Sequence, residues 1–249
     1  WPLSRKYYPK QFINLINDYE IVMASGPAGV GKSYLAIGKA LELLRKTDNS
    51  YKNMVICKPA VESGENLGFI PGTLDDKMAP HIESSLDIVD KMIGKFNRIK
   101  MVEEGQIKVV ALGFLRGKTI DNTIFIMEEA QNMSPNQVKT LLTRIGENSK
   151  FIISGDLNQS DKYSDVRKTG LYDIMTRHKN IKEIGFFEFN IDDIVRNPII
   201  SKILRNYDNI SINKPLKFET PIVKKLKSES KNTKPKLTIL DTIKKIFIK

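Results

Sequence analysis

Six short apolar runs punctuate the chain, and helical spacing of apolar positions fills much of the sequence between them. The runs are "EIVMAS" (Glu20–Ser25), "NMVICK" (Asn53–Lys58), "QIKVVAL" (Gln106–Leu112), "NTIFIM" (Asn122–Met127), "KFIISG" (Lys150–Gly155) and "EIGFFEF" (Glu183–Phe189). Each is six or seven residues long and rich in β-branched or aromatic residues, which predicts buried strands. Helical spacing covers Lys32–Lys46, Lys77–Phe96 and about Arg167–His178, with Pro80 tolerated near the start of the second. Ser134 has the character of an N-cap, with Pro135 at the first helical position. Asp192 and Asp193 open a last helical region, in which Pro198 restarts the helix. Strands alternating with helices predict an α/β fold of three layers, a mainly parallel sheet with helices on both faces.

Beyond Asn209 the pattern dissolves. A domain over residues 1–210 is therefore expected, followed by a tail over 211–249 that mixes Lys, Ser, Thr and Asn. The tail holds eleven lysines against Glu219, Glu229 and Asp241, a net +8 of the chain's formal +11. The basicity is thus largely the tail's, either a solubilising extension or a basic arm for nucleic acid. Cys57 is the only cysteine and His81 and His178 the only histidines, a poor supply for a structural zinc. No long apolar window and no secretory pattern stand out, so a cytoplasmic protein without membrane contact is expected. Between the second strand and the second helix lies a long Gly/Pro-punctuated loop, Pro59–Asp76, of a length associated with function.

The first run leads straight into "GPAGVGKS". Gly26, Gly31, Lys32 and Ser33 fill the fixed places of G-x-x-x-x-G-K-[ST], and Pro27, Ala28, Gly29 and Val30 form the loop between them. Glycines let backbone N–H groups close around phosphate oxygens at the positive end of a helix. Lys32 is placed for the β and γ phosphates, and Ser33 offers its hydroxyl to magnesium. A glycine turn without nucleotide is the competing reading. A strand before the pattern and a helix after it weigh against that.

Phosphate transfer needs carboxylates near the γ-phosphate, and "TIFIMEEAQN" supplies them at a strand end. Glu128 is the candidate for holding magnesium through water, and Glu129 for polarising the attacking water. A solvated acidic pair at a helix start is the alternative. In "FIISGDLNQ", Asp156 and Gln159 stand just past the next strand, where they would sense the γ-phosphate.

"GPAGVGKSYLA", "KPAVESGENLGFIPGTLDDKM", "LGFLRGKT", "IFIMEEAQN", "ISGDLNQ" and "DIVRNPIISKIL" stand in the order of the PhoH-like ATPases. That family resembles a single motor domain of superfamily-one helicases, and the likeness covers about Tyr8–Asp208. It implies ATP and Mg2+ as cofactors, and a nucleotide site that includes Tyr34 beside the P-loop. It also implies Gln11 as the reader of adenine, Gln159 as γ-phosphate sensor and Arg196 as an arginine finger reaching a neighbouring subunit. Arg116, in the "RG-basic-T" turn, would contact nucleotide or nucleic acid. The chain has Glu128 where the family usually has aspartate, Lys58 and Lys118 for arginines, and Asn197 for histidine. Some members carry an upstream ribonuclease domain; with 25 residues before Gly26, a compact form like those coded by bacteriophages is expected.

The expected function is a magnesium-dependent ATPase coupled to RNA or single-stranded DNA, working as a homo-oligomeric ring such as a hexamer. The "GDxxQ" turn favours that branch over nucleotide kinases, which need a lid and an acceptor site. The rival expectation is a slow-hydrolysing protein in which ATP sets a conformation for binding or assembly, without helicase activity.

Overall fold

The apolar runs become strands because each alternates its side chains between two different cores. In β1 (Ile21–Ser25), Val22 and Ala24 join one buried cluster while Met23 joins the other. In β4 (Thr123–Met127), Ile124 and Ile126 face the first cluster, and Phe125 and Met127 the second. A strand apolar on both faces has no stable place except between two helical layers. The computed structural model describes residues 9–45, 51–59, 74–115, 117, 119–195, 199–200 and 202–205. Within them β2 (Asn53–Lys58), β3 (Ile107–Ala111), β5 (Lys150–Gly155) and β6 (Ile184–Glu188) complete a six-stranded sheet. Its order is β3-β2-β4-β5-β1-β6, and every pairing is parallel.

One layer holds α1 (Lys10–Asp18), α2 (Lys32–Leu44) and α3 (Leu74–Ile93), which bring Phe12, Leu35, Leu41 and Val89 to the first cluster. The other holds α5 (Pro135–Leu142) and α6 (Gly170–Arg177), with Val138, Leu141, Leu171 and Ile174. Between α3 and β3 runs α4 (Lys95–Glu103), which buries none of its residues. Phe125 and Phe151 stack across neighbouring strands at 5.0 Å between ring centroids. Ser134 does cap α5: its hydroxyl accepts from Gln137 N–H while the Gln137 side chain accepts from Ser134 N–H. Such a capping box contributes about 1 kcal/mol and fixes where α5 leaves the sheet.

The structure adds α1 and α4 to the elements that spacing predicts, and it ends α3 at Ile93 rather than Phe96. Gly94, at φ +81°, makes the break. The predicted loop is shorter at its far end, since α3 already begins at Leu74; residues 60–73 lie outside the described ones. So do Arg116, Lys118, Arg196, Asn197, Pro198 and the whole tail 211–249. No helix among the described residues is long and apolar enough to cross a membrane.

Candidate nucleotide site

Strand order decides what meets at the carboxyl edge of the sheet. β5 stands between β1 and β4, so the P-loop after β1 and the acidic pair after β4 flank the "GDLNQ" turn after β5. Ser25 pairs with Gly155 and Met127 with Ile153, which brings Glu128 off its strand level with Ser154. In open parallel sheets ligands bind at this edge.

The P-loop is a backbone cradle. Gly26, Gly29 and Gly31 adopt φ of +152°, +86° and +89°, the last two in the left-handed region. At Gly26 a Cβ would lie 2.5 Å from Phe189 Cβ and 2.8 Å from Phe189 O, so only glycine lets the loop pass β6. Gly26 N–H donates to Gly155 O at 3.2 Å, and Val30 is fully buried in the core. The loop is thereby pinned at its start and at its middle. Helix α2 follows with Gly31 as N-cap and no side chain capping it. Its first N–H groups therefore face the cradle, which is the arrangement an anion requires. Pro27 and Ala28 form the outer bend, Ala28 exposed, while Ser33 and Tyr34 are half-buried at the start of α2. Burial raises the Tyr34 hydroxyl above its usual value. The Lys32 ammonium turns back on the loop, donating to Gly26 O at 2.5 Å and Pro27 O at 3.0 Å.

The two glutamates differ sharply. Glu128 is 2% exposed; its Oε2 accepts from Ser85 Oγ at 2.8 Å and lies 3.2 Å from Lys58 Nζ. Its Oε1 is buried without a hydrogen-bond partner. Glu129 is exposed, and its backbone sits at φ +55°, unusual for a residue with a Cβ and costing about 1–3 kcal/mol. Asp156 is buried close to the P-loop; desolvation raises its pKa, opposed by hydrogen bonds from the Asn158 and Ala28 N–H groups and by the Lys32 charge, while the Glu129 charge adds to the rise. Lys32, Ala28, Asp156 and Glu129 thus share one electrostatic neighbourhood.

Gln131 received no role from sequence, and the structure places it at the centre. It is 1% exposed. Its Nε2 donates to Glu129 Oε2 at 2.6 Å and to Gln159 O at 3.2 Å, and its Oε1 accepts from Asp156 N–H at 3.0 Å. One side chain therefore ties the turn after β4 to the turn after β5. Gly155 makes room for it, since a Cβ there would sit 2.4 Å from Gln131 Oε1. Lys58 and Ser85, which hold Glu128, were also missed as site residues. The signal for Gln131 was its place two residues after Glu129, and nothing in spacing marked Ser85.

Gln159 is exposed beside Glu129, with its N–H on Asp156 O. Gln11 lies on the first turn of α1, next to Phe12, whose ring meets Phe189 at 5.2 Å; Phe189 in turn abuts Gly26. The structure does not describe Arg196, but its neighbour Val195 donates its N–H to Gly29 O at 3.1 Å.

Comparison with known proteins agrees with this fold. The family described as "PhoH-like protein" matches residues 4–208. A PhoH-like protein of Bacillus subtilis is 37% identical over 199 residues, covering 80% of this chain and 61% of the relative. Protein PhoH of Escherichia coli K12 is 30% identical over 207 residues, covering 82% of this chain and 58% of its own length. The chain thus spans about three-fifths of the length of these curated relatives. Among solved structures, the large terminase of bacteriophage HK97 superposes with a TM-score of 0.52 at 12% identity, over 83% of this chain and 48% of that one, a likeness of fold. The chain carries a P-loop NTPase fold and belongs to the PhoH-like protein family.

Proposed function

We propose that this protein is a magnesium-dependent ATPase whose turnover is coupled to RNA or another single-stranded nucleic acid. The observation that carries the reading is the convergence on Asp156, whose carboxyl is within electrostatic reach of both Lys32 and Glu129. The lysine proposed to bind phosphate and the carboxylate proposed for hydrolysis then share the neighbourhood of one buried carboxyl. The residues fit the group they would hold. Glu128 Oε1 is a buried acceptor awaiting a donor, and the uncapped start of α2 awaits an anion. The Ser33 hydroxyl and, through water, Glu128 would hold magnesium, which would supply charge neutralisation for the β and γ phosphates.

In this reading Lys32 leaves the Gly26 and Pro27 carbonyls for the phosphate oxygens. Glu129 accepts the proton of the attacking water, held in place by Gln131, and Gln159 orients the γ-phosphate. Gln11 reads adenine from α1. The Glu128–Lys58 ion pair supports a second reading, since a carboxylate already paired on one oxygen suits slow hydrolysis by a nucleotide-dependent assembly protein. Steady-state phosphate release separates the two. Turnover is expected to require Mg2+, to stop with EDTA, and to rise several-fold with single-stranded RNA. A single burst without turnover would favour the assembly protein.

The Val195–Gly29 hydrogen bond brings the chain to its own P-loop one residue before Arg196. That supports an arginine acting on the same protomer's nucleotide rather than on a neighbour's in a ring. Mixing Arg196→Ala with Glu129→Gln should then restore no activity in co-assembled protein. Recovery of part of the turnover would assign the arginine to the neighbouring subunit.

A further inference from the structure

Helix α4 is held to the body of the protein along one side. Arg98 grips Asp90 of α3 through two nitrogens, Nε to Oδ1 at 2.8 Å and Nη2 to Oδ2 at 3.3 Å. Asn97 Nδ2 donates to Ile93 O at 2.8 Å, and Met101 packs on the first cluster. Asn97, Arg98 and Met101 are accordingly the half-buried residues of the helix. The opposite face carries Phe96, Ile99 and Val102, exposed at 81%, 40% and 41%. Spacing by three aligns them in one row. β3, which follows α4, pairs with β2 alone, so the row stands at the rim of the sheet. An anchored helix that turns a row of apolar side chains to water marks a contact surface.

The charges beside that row say what covers it. Lys95 is the first residue of α4 and Glu103 the last, both exposed. Both signs oppose the helix's own dipole, which favours anions at the start and cations at the end. Around Ile99 the order is symmetrical in position and opposite in charge. Phe96 and Val102 stand three residues to either side, and Lys95 and Glu103 four. When a second α4 lies antiparallel with Ile99 against Ile99, Phe96 comes level with Val102 of the second copy. Lys95 comes level with Glu103 of that copy, and each charge meets the dipole end that attracts it. A parallel arrangement would bring like charges together. The other cations of α4 are already taken, Arg98 by Asp90 and Lys100 by Glu104 at 3.8 Å.

We infer that the outer face of α4 docks on the same face of a second copy of this chain, the two helices antiparallel about Ile99. A contact that uses one patch on both molecules closes at two. β1, which bears the P-loop at its end, stands four strands from β3 along the sheet, so the pairing is independent of the nucleotide reading. The helix is short and its row narrow, which suits a dimer of roughly micromolar affinity.

Analytical ultracentrifugation of the full chain reads the association. Ile99→Lys should weaken it about a hundredfold or more, because two ammonium groups then meet at the centre. Lys95→Glu and Glu103→Lys should each weaken it about tenfold, since each sets like charges level at both ends of the contact. The double variant Lys95→Glu/Glu103→Lys should recover most of that loss, because the pairs re-form with their signs exchanged. These side chains are exposed, so melting temperature and binding of a non-hydrolysable ATP analogue should match the parent in every variant. If Ile99→Lys melts early, the single and double charge exchanges decide alone. A parent that stays monomeric at about 0.1 mM overturns the inference. So does a double variant that associates no better than the single ones, or an assembly that Ile99→Lys leaves intact, whose contacts then lie elsewhere. A monomer that binds single-stranded RNA and releases it on Phe96→Ala assigns the face to nucleic acid instead.

Discussion

Glu129→Gln is expected to bind ATP like the parent and to lose turnover by roughly two orders of magnitude or more. The substitution keeps shape and removes the carboxylate proposed to accept the proton of the attacking water. It also turns the short contact from Gln131 Nε2 to Glu129 Oε2, 2.6 Å, from a charge-assisted bond into one between two amides. Ground-state binding rests instead on the P-loop, which neither side chain supports directly. Glu128→Gln should differ in kind, weakening the dependence on Mg2+ while leaving a measurable rate at saturating metal. Single-turnover hydrolysis beside calorimetric ATP binding checks both. If Glu128→Gln proves the more severe hydrolysis mutant at saturating Mg2+, the two roles are reversed.

Lys32→Ala should weaken ATP binding by roughly a hundredfold or more, the loss expected when charge-assisted hydrogen bonds to buried phosphates disappear. In the free protein the ammonium satisfies the Gly26 and Pro27 carbonyls, so its removal also leaves the loop's own acceptors to water. The cradle itself should persist, because Val30 and the Gly26–Gly155 hydrogen bond hold it independently of the lysine. Calorimetry in Mg2+ reads the affinity, and an unchanged value would remove the phosphate-loop assignment.

Six strands were legible because a strand buried on both faces leaves a run of apolar residues that no surface element needs. The helices were legible in proportion to what they bury. α2 places most of its residues in the core, whereas α4 buries none and leaves Phe96 at 81% exposure, so no apolar stripe betrays it. α1 begins at Lys10, after Pro9, with no side-chain cap to announce it. In the site, the P-loop and acidic pair could be read because their chemistry depends on neighbours in sequence. Gln131, Ser85 and Lys58 act across strands, and no local pattern records which strands will be adjacent. The left-handed backbone of Glu129 is equally invisible, since the residue gives no hint of it.

The strand order also has a consequence for synthesis. β2 finds β3 and β4 among residues 53–127, so that half of the sheet has its partners while the chain is still being made. β1 is translated first, yet it pairs only with residues 151–155 and 184–188. The segment bearing "GPAGVGKS" thus gains its first partner strand only when residues 151–155 are made and its second at 184–188, and the cost of closing so long a loop falls on those late steps. A nascent chain therefore completes the loop after β1 only once the sheet closes around it, and any ligand specific to that loop would stabilise only the finished molecule.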